Sequence, residues 1–275
     1  MKSLCIKTNN ENLKNYLLKN LKLMELENSI YSNYRFKKFD NIIIHYLGDD
    51  EDYFIEEISY CLANAVIDIY ERSIIRNIIK SNYFYFTNIE QRQIAEKCID
   101  EVKLETIFNR INSIALSFYR YFKDNKSVIF EGFINFRLNQ YIKFLDSIID
   151  ISVNKFIIDR EYLEFIELLK TYIQSKPIGA NTLHLVYNNQ ASMVLDENKN
   201  LIEPDGEIFK HTYLSDISFS SNDYALNILL TIIPKKLIIH TEDEDDEFIN
   251  TLKLIFENRV VISKEDKVLI KLTNE

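Results

Sequence analysis

The spacing of apolar residues changes period along the chain, and each change marks an element. Ser3 to Lys7 shows the two-residue alternation of a strand, and Glu11 to Leu23 reads as an amphipathic helix. Arg35 to Phe39 followed by Asn41 to Leu47 predicts a hairpin turning at Asp40-Asn41. Gly48-Asp49-Asp50 ends the second strand and caps a helix, because a carboxylate there accepts from the free N–H groups of a first turn. From Asp52 to Lys80, Phe54, Ile55, Ile58, Leu62, Ala65, Val66 and Ile69 recur at three and four, one buried stripe. Tyr83 to Phe86 interrupts it as a short extended piece. Asn88 then caps a helix carrying Ile94, Cys98 and Val102, and a further stripe runs through Ile107, Ile111, Ile114, Phe118 and Phe122.

The helical period continues from Ser127 to Ser175, first through Phe133, Ile134, Tyr141, Ile142, Leu145, Ile148 and Ile149, later through Phe165, Ile166, Leu169 and Ile173. One uninterrupted helix would be roughly 70 Å long, too long for a single globule, so a break is expected between Asn154 and Arg160 with Asp159 as the second N-cap. After Pro177 and Gly179 the texture becomes β-rich. Thr182 to Tyr187 reads as a strand, and Ser192 to Leu195 and Asn200 to Glu203 flank a turn at Asp196 to Lys199. Pro204-Asp205-Gly206 is a loop. Asn222 opens a helix to Ile233 that stops at Pro234, and Leu237 to Thr241 is a buried-type strand. An acidic run begins the next helix, to about Glu257, and strands follow at Val260 to Ser263 and Lys267 to Leu272. The expectation is an α+β fold in three parts: an N-terminal α/β unit over 1–48, a central helical layer over 49–176 and a C-terminal mixed α/β unit over 177–275. The last contains a strand-helix-strand crossover, and the two α/β parts are candidates for one shared sheet.

Composition sharpens this picture. The 275 residues include 4 Gly and 3 Pro, where average usage would give roughly thirty, and between Gly48 and Pro177 the one exception is Gly132. A close helix approach or an N-terminal turn would account for it. Net charge is −9, but Glu242 to Glu247 supplies six negatives, so the acidity is local. With no Lys/Arg stripe, a nucleic-acid surface is disfavoured. Cys5, Cys61 and Cys98 are dispersed and odd in number, which suits reduced core thiols in a cytoplasmic protein. No apolar run has the length of a signal peptide or a spanning helix, so neither secretion nor membrane insertion is expected.

Two segments carry a family pattern. Glu131-Gly132-Phe133-Ile134-Asn135-Phe136-Arg137-Leu138, then Tyr141, precede Glu161-Tyr162-Leu163-Glu164-Phe165-Ile166-Glu167-Leu168-Leu169. Together with Ala225 to Pro234 and Leu237 to His240, they resemble the YtxC-like family of sporulation-associated proteins of endospore-forming bacteria. The resemblance covers about half the chain and implies a context, endospore formation, without an activity, cofactor or catalytic residue.

Candidate chemistry is sparse. Glu131 and Arg137 lie six residues apart, roughly 240° around a helix, so they do not pair locally. If the chain folds back near residue 157, Arg137 would meet Glu161 or Glu164, as an ion pair fixing helix register or as a charged binding site. His240 ends a strand that precedes a helix, where open α/β sheets place ligands. A histidine bonding a backbone carbonyl is the plainer reading. His45, His184 and His211 are too dispersed for a linear metal motif. The acidic run lacks the spacing of a calcium loop and reads as a solvated helix start. Aromatic clusters at Tyr83 to Phe86 and Phe118 to Phe122 read as core before they read as base-stacking platforms. No Walker, GxGxxG, GxSxG, CxxC or HExxH motif occurs, and neither cofactor nor metal is expected. The leading expectation is therefore a non-enzymatic, sporulation-associated cytoplasmic protein acting through protein partners. A small-molecule-binding or hydrolytic enzyme, using Glu131, Arg137, Glu161, Glu164 or His240 between the helical layer and the C-terminal strand ends, is the alternative.

Overall fold

The computed structural model describes residues 2–23, 29–104, 106–188, 191–202 and 220–263. They form an α+β fold whose chain divides into two compact units, Met1–Ile157 and Ile158–Glu275, each with its own sheet.

In the first unit β1 (Lys2–Thr8) lies inside a four-stranded sheet of order β2-β3-β1-β4. β2 (Ser29–Phe36) and β3 (Phe39–Tyr46) form the expected hairpin, but its turn is Lys37-Lys38, with Lys37 at φ 55°. Asp40 and Asn41 are instead paired inside the ladder and buried. β4 (Ser127–Ile129) closes the sheet parallel to β1. Strand alternation aims Leu4, Ile6 and Thr8 inward. Leu4 and Ile6 join Leu13, Leu17 and Leu21 of α1 (Glu11–Leu23) in one core with the helices that follow.

α2 (Glu51–Ala65) starts at Asp50, whose side chain accepts from Tyr53 N at 2.9 Å, so the cap expected at Gly48-Asp49-Asp50 is present. The long stripe does not form one α-helix. A π-helical segment, Val66–Tyr70, separates α2 from α3 (Glu71–Asn82). Tyr83 to Phe86 is a turn rather than a strand. α4 (Asn88–Leu104) is capped by Thr87 instead of Asn88: Thr87 Oγ1 accepts from Glu90 N while Glu90 Oε2 accepts from Thr87 N. α5 (Ile107–Asp124) buries Ile114, Phe118 and Phe122, and Phe118 stacks on Phe133 with centroids 4.0 Å apart. The aromatic residues of this stretch are thus core, as expected, whereas Phe84 and Tyr85 of the earlier cluster are exposed.

After β4 come α6 (Phe130–Arg137) and α7 (Asn139–Ser175). The break falls at Leu138, and α7 runs through Asn154 to Arg160 without interruption, so Asp159 is not a cap. The expected break rested on a core of one globule. α7 instead gives Leu145, Ile149 and Val153 to the first core and Ile166, Leu169 and Ile173 to the second.

The second unit has strand order β6-β5-β7-β8. β5 (Ala180–Asn188), β7 (Pro234–His240) and β8 (Val260–Ser263) are mutually parallel, and β6 (Ala191–Leu195) pairs antiparallel on the edge. The sheets of the two units are separate. α8 (Ser221–Ile232) begins with a capping box between Ser220 and Asp223 and ends with Ile233 in the left-handed region, φ 52°. α9 (Glu247–Phe256) is capped by Asp246, so only the end of the acidic run opens the helix and Glu242 to Asp245 lie before it. The expected strand at Lys267 to Leu272, the Pro204-Asp205-Gly206 loop, Glu203 and His211 lie outside the described residues.

Two glycines make opposite predictions. Gly179 N donates to the Ile232 and Ile233 carbonyls that the end of α8 leaves free, and a Cβ on Gly179 would sit 2.2 Å from Ile232 O. Gly179→Ala should destabilise the second unit by about 1–3 kcal/mol. Gly132 lies in the first turn of α6 with no close approach, since an added Cβ meets only Ile129, at 3.8 Å. Gly132→Ala should stabilise by about 0.5–1 kcal/mol through helix propensity. Urea unfolding of the two variants checks both signs.

Candidate functional site

The polar interior of the first unit is organised by the π-helical segment. Leu62 of α2 and Val66, the first residue of the π-helical segment, are buried at helical spacing, and an uninterrupted helix would carry that face on to Tyr70 and Ser73-Ile74. The wider turn inserts one extra residue, so the buried face resumes at Ile75 and Ile79 with Glu71 one turn before them. Tyr70 and Glu71, adjacent in sequence, thereby become the centres of two polar clusters.

Tyr70 belongs to the first. Glu131 Oε1 accepts from Thr8 Oγ1 at 2.5 Å and from the Tyr70 hydroxyl at 2.9 Å. The Tyr70 oxygen in turn accepts from Asn10 Nδ2 at 3.0 Å, and Asn10 Oδ1 caps α1 through Asn12 N. Thr8 is fully buried at the end of β1, and Glu131 follows the end of β4, so the cluster sits at the C-terminal ends of two parallel strands. Glu131 Oε2 is buried with no hydrogen-bond partner among the described residues. Burial and the Glu131 carboxylate push the Tyr70 phenol well above its ordinary value.

Glu71 belongs to the second. Arg110 Nη1 lies 3.1 Å from both Glu71 carboxylate oxygens, and the Tyr141 hydroxyl donates to Oε2. Arg110 is 7% exposed and the Glu71 side chain 12%, so this is a buried ion pair. Burial and the Glu71 charge raise the Tyr141 phenol, keeping it a neutral donor. A cavity of about 290 Å³, lined by Asn109, Arg110, Ser113, Tyr141 and Phe144, opens beside the pair. The charge that faces it is already neutralised by Glu71. Nearby thiols are not poised for attack: burial pushes Cys98 up to about 11 and Cys61 up to about 12, so both are thiols at neutral pH.

The residues singled out from sequence are distributed among these features. Glu131 is in the Tyr70 cluster. Arg137 is exposed, its guanidinium 5.9 Å from the centroid of the Tyr121 ring, and belongs to the first unit, whereas Glu161 and Glu164 belong to the second, on the uninterrupted helix α7. Glu161 and Glu164 are exposed on α7, Glu164 beside Arg160 at 3.7 Å. His240 is 2% exposed, and its Nε2 lies 3.0 Å from His184 Nδ1 with the rings stacked, so one of its partners is a second histidine. The register of β5 against β7, His184 opposite Ile238, sets the two rings diagonally on one sheet face.

Sequence reasoning passed over Glu71, Arg110, Tyr70, Thr8 and His184. A signal existed for one: Arg110 falls on the α5 stripe, three after Ile107 and four before Ile114. Among the described residues no three His, Cys, Asp or Glu side chains gather to hold a metal, and no helix is long and apolar enough to cross a membrane.

The pattern that joins Glu131 to the α7 glutamates is matched by a family description. The model of the YtxC-like family aligns with residues 56–261, three quarters of the sequence. The chain belongs to the YtxC-like family. A curated relative, the uncharacterized protein YtxC of Bacillus subtilis strain 168, is 23% identical over 195 residues, covering 67% of this chain and 68% of the relative. No solved structure matches. The matched region of this YtxC-like chain begins within α2, so it takes in the π-helical segment and both polar clusters except Thr8 and Asn10.

Two measurements follow. Glu71→Gln or Arg110→Met should each cost about 3–5 kcal/mol by stranding the other charge, and the double replacement should cost much less than the sum. A denaturation double-mutant cycle reads this. Stability should also fall as pH rises past about 9 and then 10. Unfolding frees the Cys61, Cys98, Tyr70 and Tyr141 protons near their ordinary values, while the folded protein holds them to higher pH. Unfolding free energies measured from pH 7 to 11 should be flat below the thiol range and decline above it.

Proposed function

We propose that this protein is a non-enzymatic, sporulation-associated protein of the cytoplasm that works by binding another protein. The observation that carries the reading is the second family segment, Glu161 to Leu169. Phe165 and Leu168 there are 52% and 64% exposed, although a soluble helix ordinarily keeps such side chains inward. The charged groups of the first segment do not assemble a reaction centre: Glu131 is held by Thr8 and Tyr70, and Arg137 faces solvent. The sporulation setting rests on the family resemblance, and the cytoplasmic setting on thiols left free at Cys5, Cys61 and Cys98.

The test is a Phe165→Asp/Leu168→Asp variant expressed at the native locus of an endospore-forming host. Its circular dichroism and unfolding midpoint should match the parent, while spore yield should fall to that of the deletion strain. A photo-crosslinking residue at Tyr172 should give a defined protein adduct in sporulating cells that disappears in the variant. Normal spore yield from the double variant would overturn the reading.

A further inference from the structure

Six apolar residues of α7 are exposed in the second unit, and four of them, all but Tyr162 and Leu163, share one stripe. Ile158, Phe165, Leu168 and Tyr172 are 64%, 52%, 64% and 42% exposed. With Glu161 they follow intervals of 3, 4, 3 and 4, the spacing of a heptad seam, along roughly 21 Å of helix. Ile166, Leu169 and Ile173 occupy the neighbouring face and are buried in the core of the unit, so α7 carries a second apolar stripe beyond the one it spends on folding. The exposed stripe offers on the order of a few hundred Å² of apolar surface. A 3-4 repeat is the pattern into which the side chains of another helix interdigitate.

Charge narrows the occupant. Glu161 takes one of the five seam positions, is exposed, and makes no hydrogen bond or ion pair among the described residues. Glu164 borders the stripe, one turn before Leu168, and among the described residues is paired with Arg160 at 3.7 Å. A carboxylate covered by a partner needs a cation opposite, since burying it unpaired is costly. A second copy of this chain does not supply one: in a parallel pair Glu161 faces Glu161, and in an antiparallel pair it faces an apolar side chain. We propose that this face of α7 docks an amphipathic helix of a different protein, with leucine-like residues at heptad spacing and Lys or Arg opposite Glu161 and Glu164. The proposal rests on the protein-contact reading above and specifies the chemistry of the partner.

The full-length protein is titrated, at about 0.15 M salt, against two fluorescent three-heptad peptides. Both have Leu at the seam, with Lys at the central seam position and flanks in one and Glu at the same places in the other. The lysine peptide should bind saturably and the glutamate peptide at least tenfold more weakly. Glu161→Lys should invert that preference, and Phe165→Ser/Leu168→Ser should remove binding of both. No saturable binding of the lysine peptide up to 1 mM overturns the proposal. So does a preference unchanged by Glu161→Lys, or binding that survives the double serine variant, which would place the peptide on the acidic run. If these outcomes occur while Tyr172 still crosslinks a protein in cells, the helical, basic character of the partner falls and the protein-contact reading stands. If the crosslink is also absent, the reading itself falls.

Discussion

A carboxylate inside a helical layer must be neutralised where it lies, and the interior of the first unit is arranged around that requirement at Glu71. Its charge is met by Arg110 from α5 and by the Tyr141 hydroxyl from α7, so one ion pair fixes three helices in register. The adjacent residue, Tyr70, extends the same arrangement to Glu131 on α6 and, through Thr8 and Asn10, to the sheet. Both contacts depend on the extra residue in the turn Val66–Tyr70. Without it, Glu71 would rotate by roughly 100° out of the buried face. Such pairs seldom add much net stability over apolar packing, but a misplaced partner is heavily penalised. The arrangement therefore selects one packing of the helices.

The same constraint explains why the family segments separate in role. In the first segment Glu131 is spent internally, between strand ends and the π-helical turn. In the second, Glu161 and Glu164 stand on a helix face that the protein leaves uncovered. Similar residue types at similar spacing thus serve packing in one place and surface in the other, and only the partners around them tell which.

Much of the fold was legible because period and punctuation agreed. The strand at Ser3 to Lys7, the helix Glu11 to Leu23 and the strand Val260 to Ser263 all lie where alternation or helical spacing put them. The misplacements have local physical causes. Lys37 takes a positive φ that its residue type does not advertise, so the hairpin turns three residues early. A break at Asn154 to Arg160 is expected of a helix too long for one globule, but α7 stays whole because it passes from one core after Phe156 to the other at Ile166. Of the candidate site, Glu131 was legible from its motif and His240 from its place at a strand end. Their partners Thr8, Tyr70 and His184 were not, because those contacts span 123, 61 and 56 residues and no local spacing records them.

The parallel pairing of β1 with β4 has a consequence for how the chain reaches this state. β1 is made well before β4, its neighbour on one side, which begins at Ser127, and the Thr8 side chain waits for Glu131. During synthesis, more than a hundred residues, most of them helical, must emerge before that edge of the sheet can close. Contacts of such sequence separation slow folding, because loop closure precedes the reward for pairing. The helices between them, with their local contacts, are free to form in the meantime. The β1-β3 side of the sheet can thus pair early, while the β4 edge of β1 is among the last parts of the first unit to be covered.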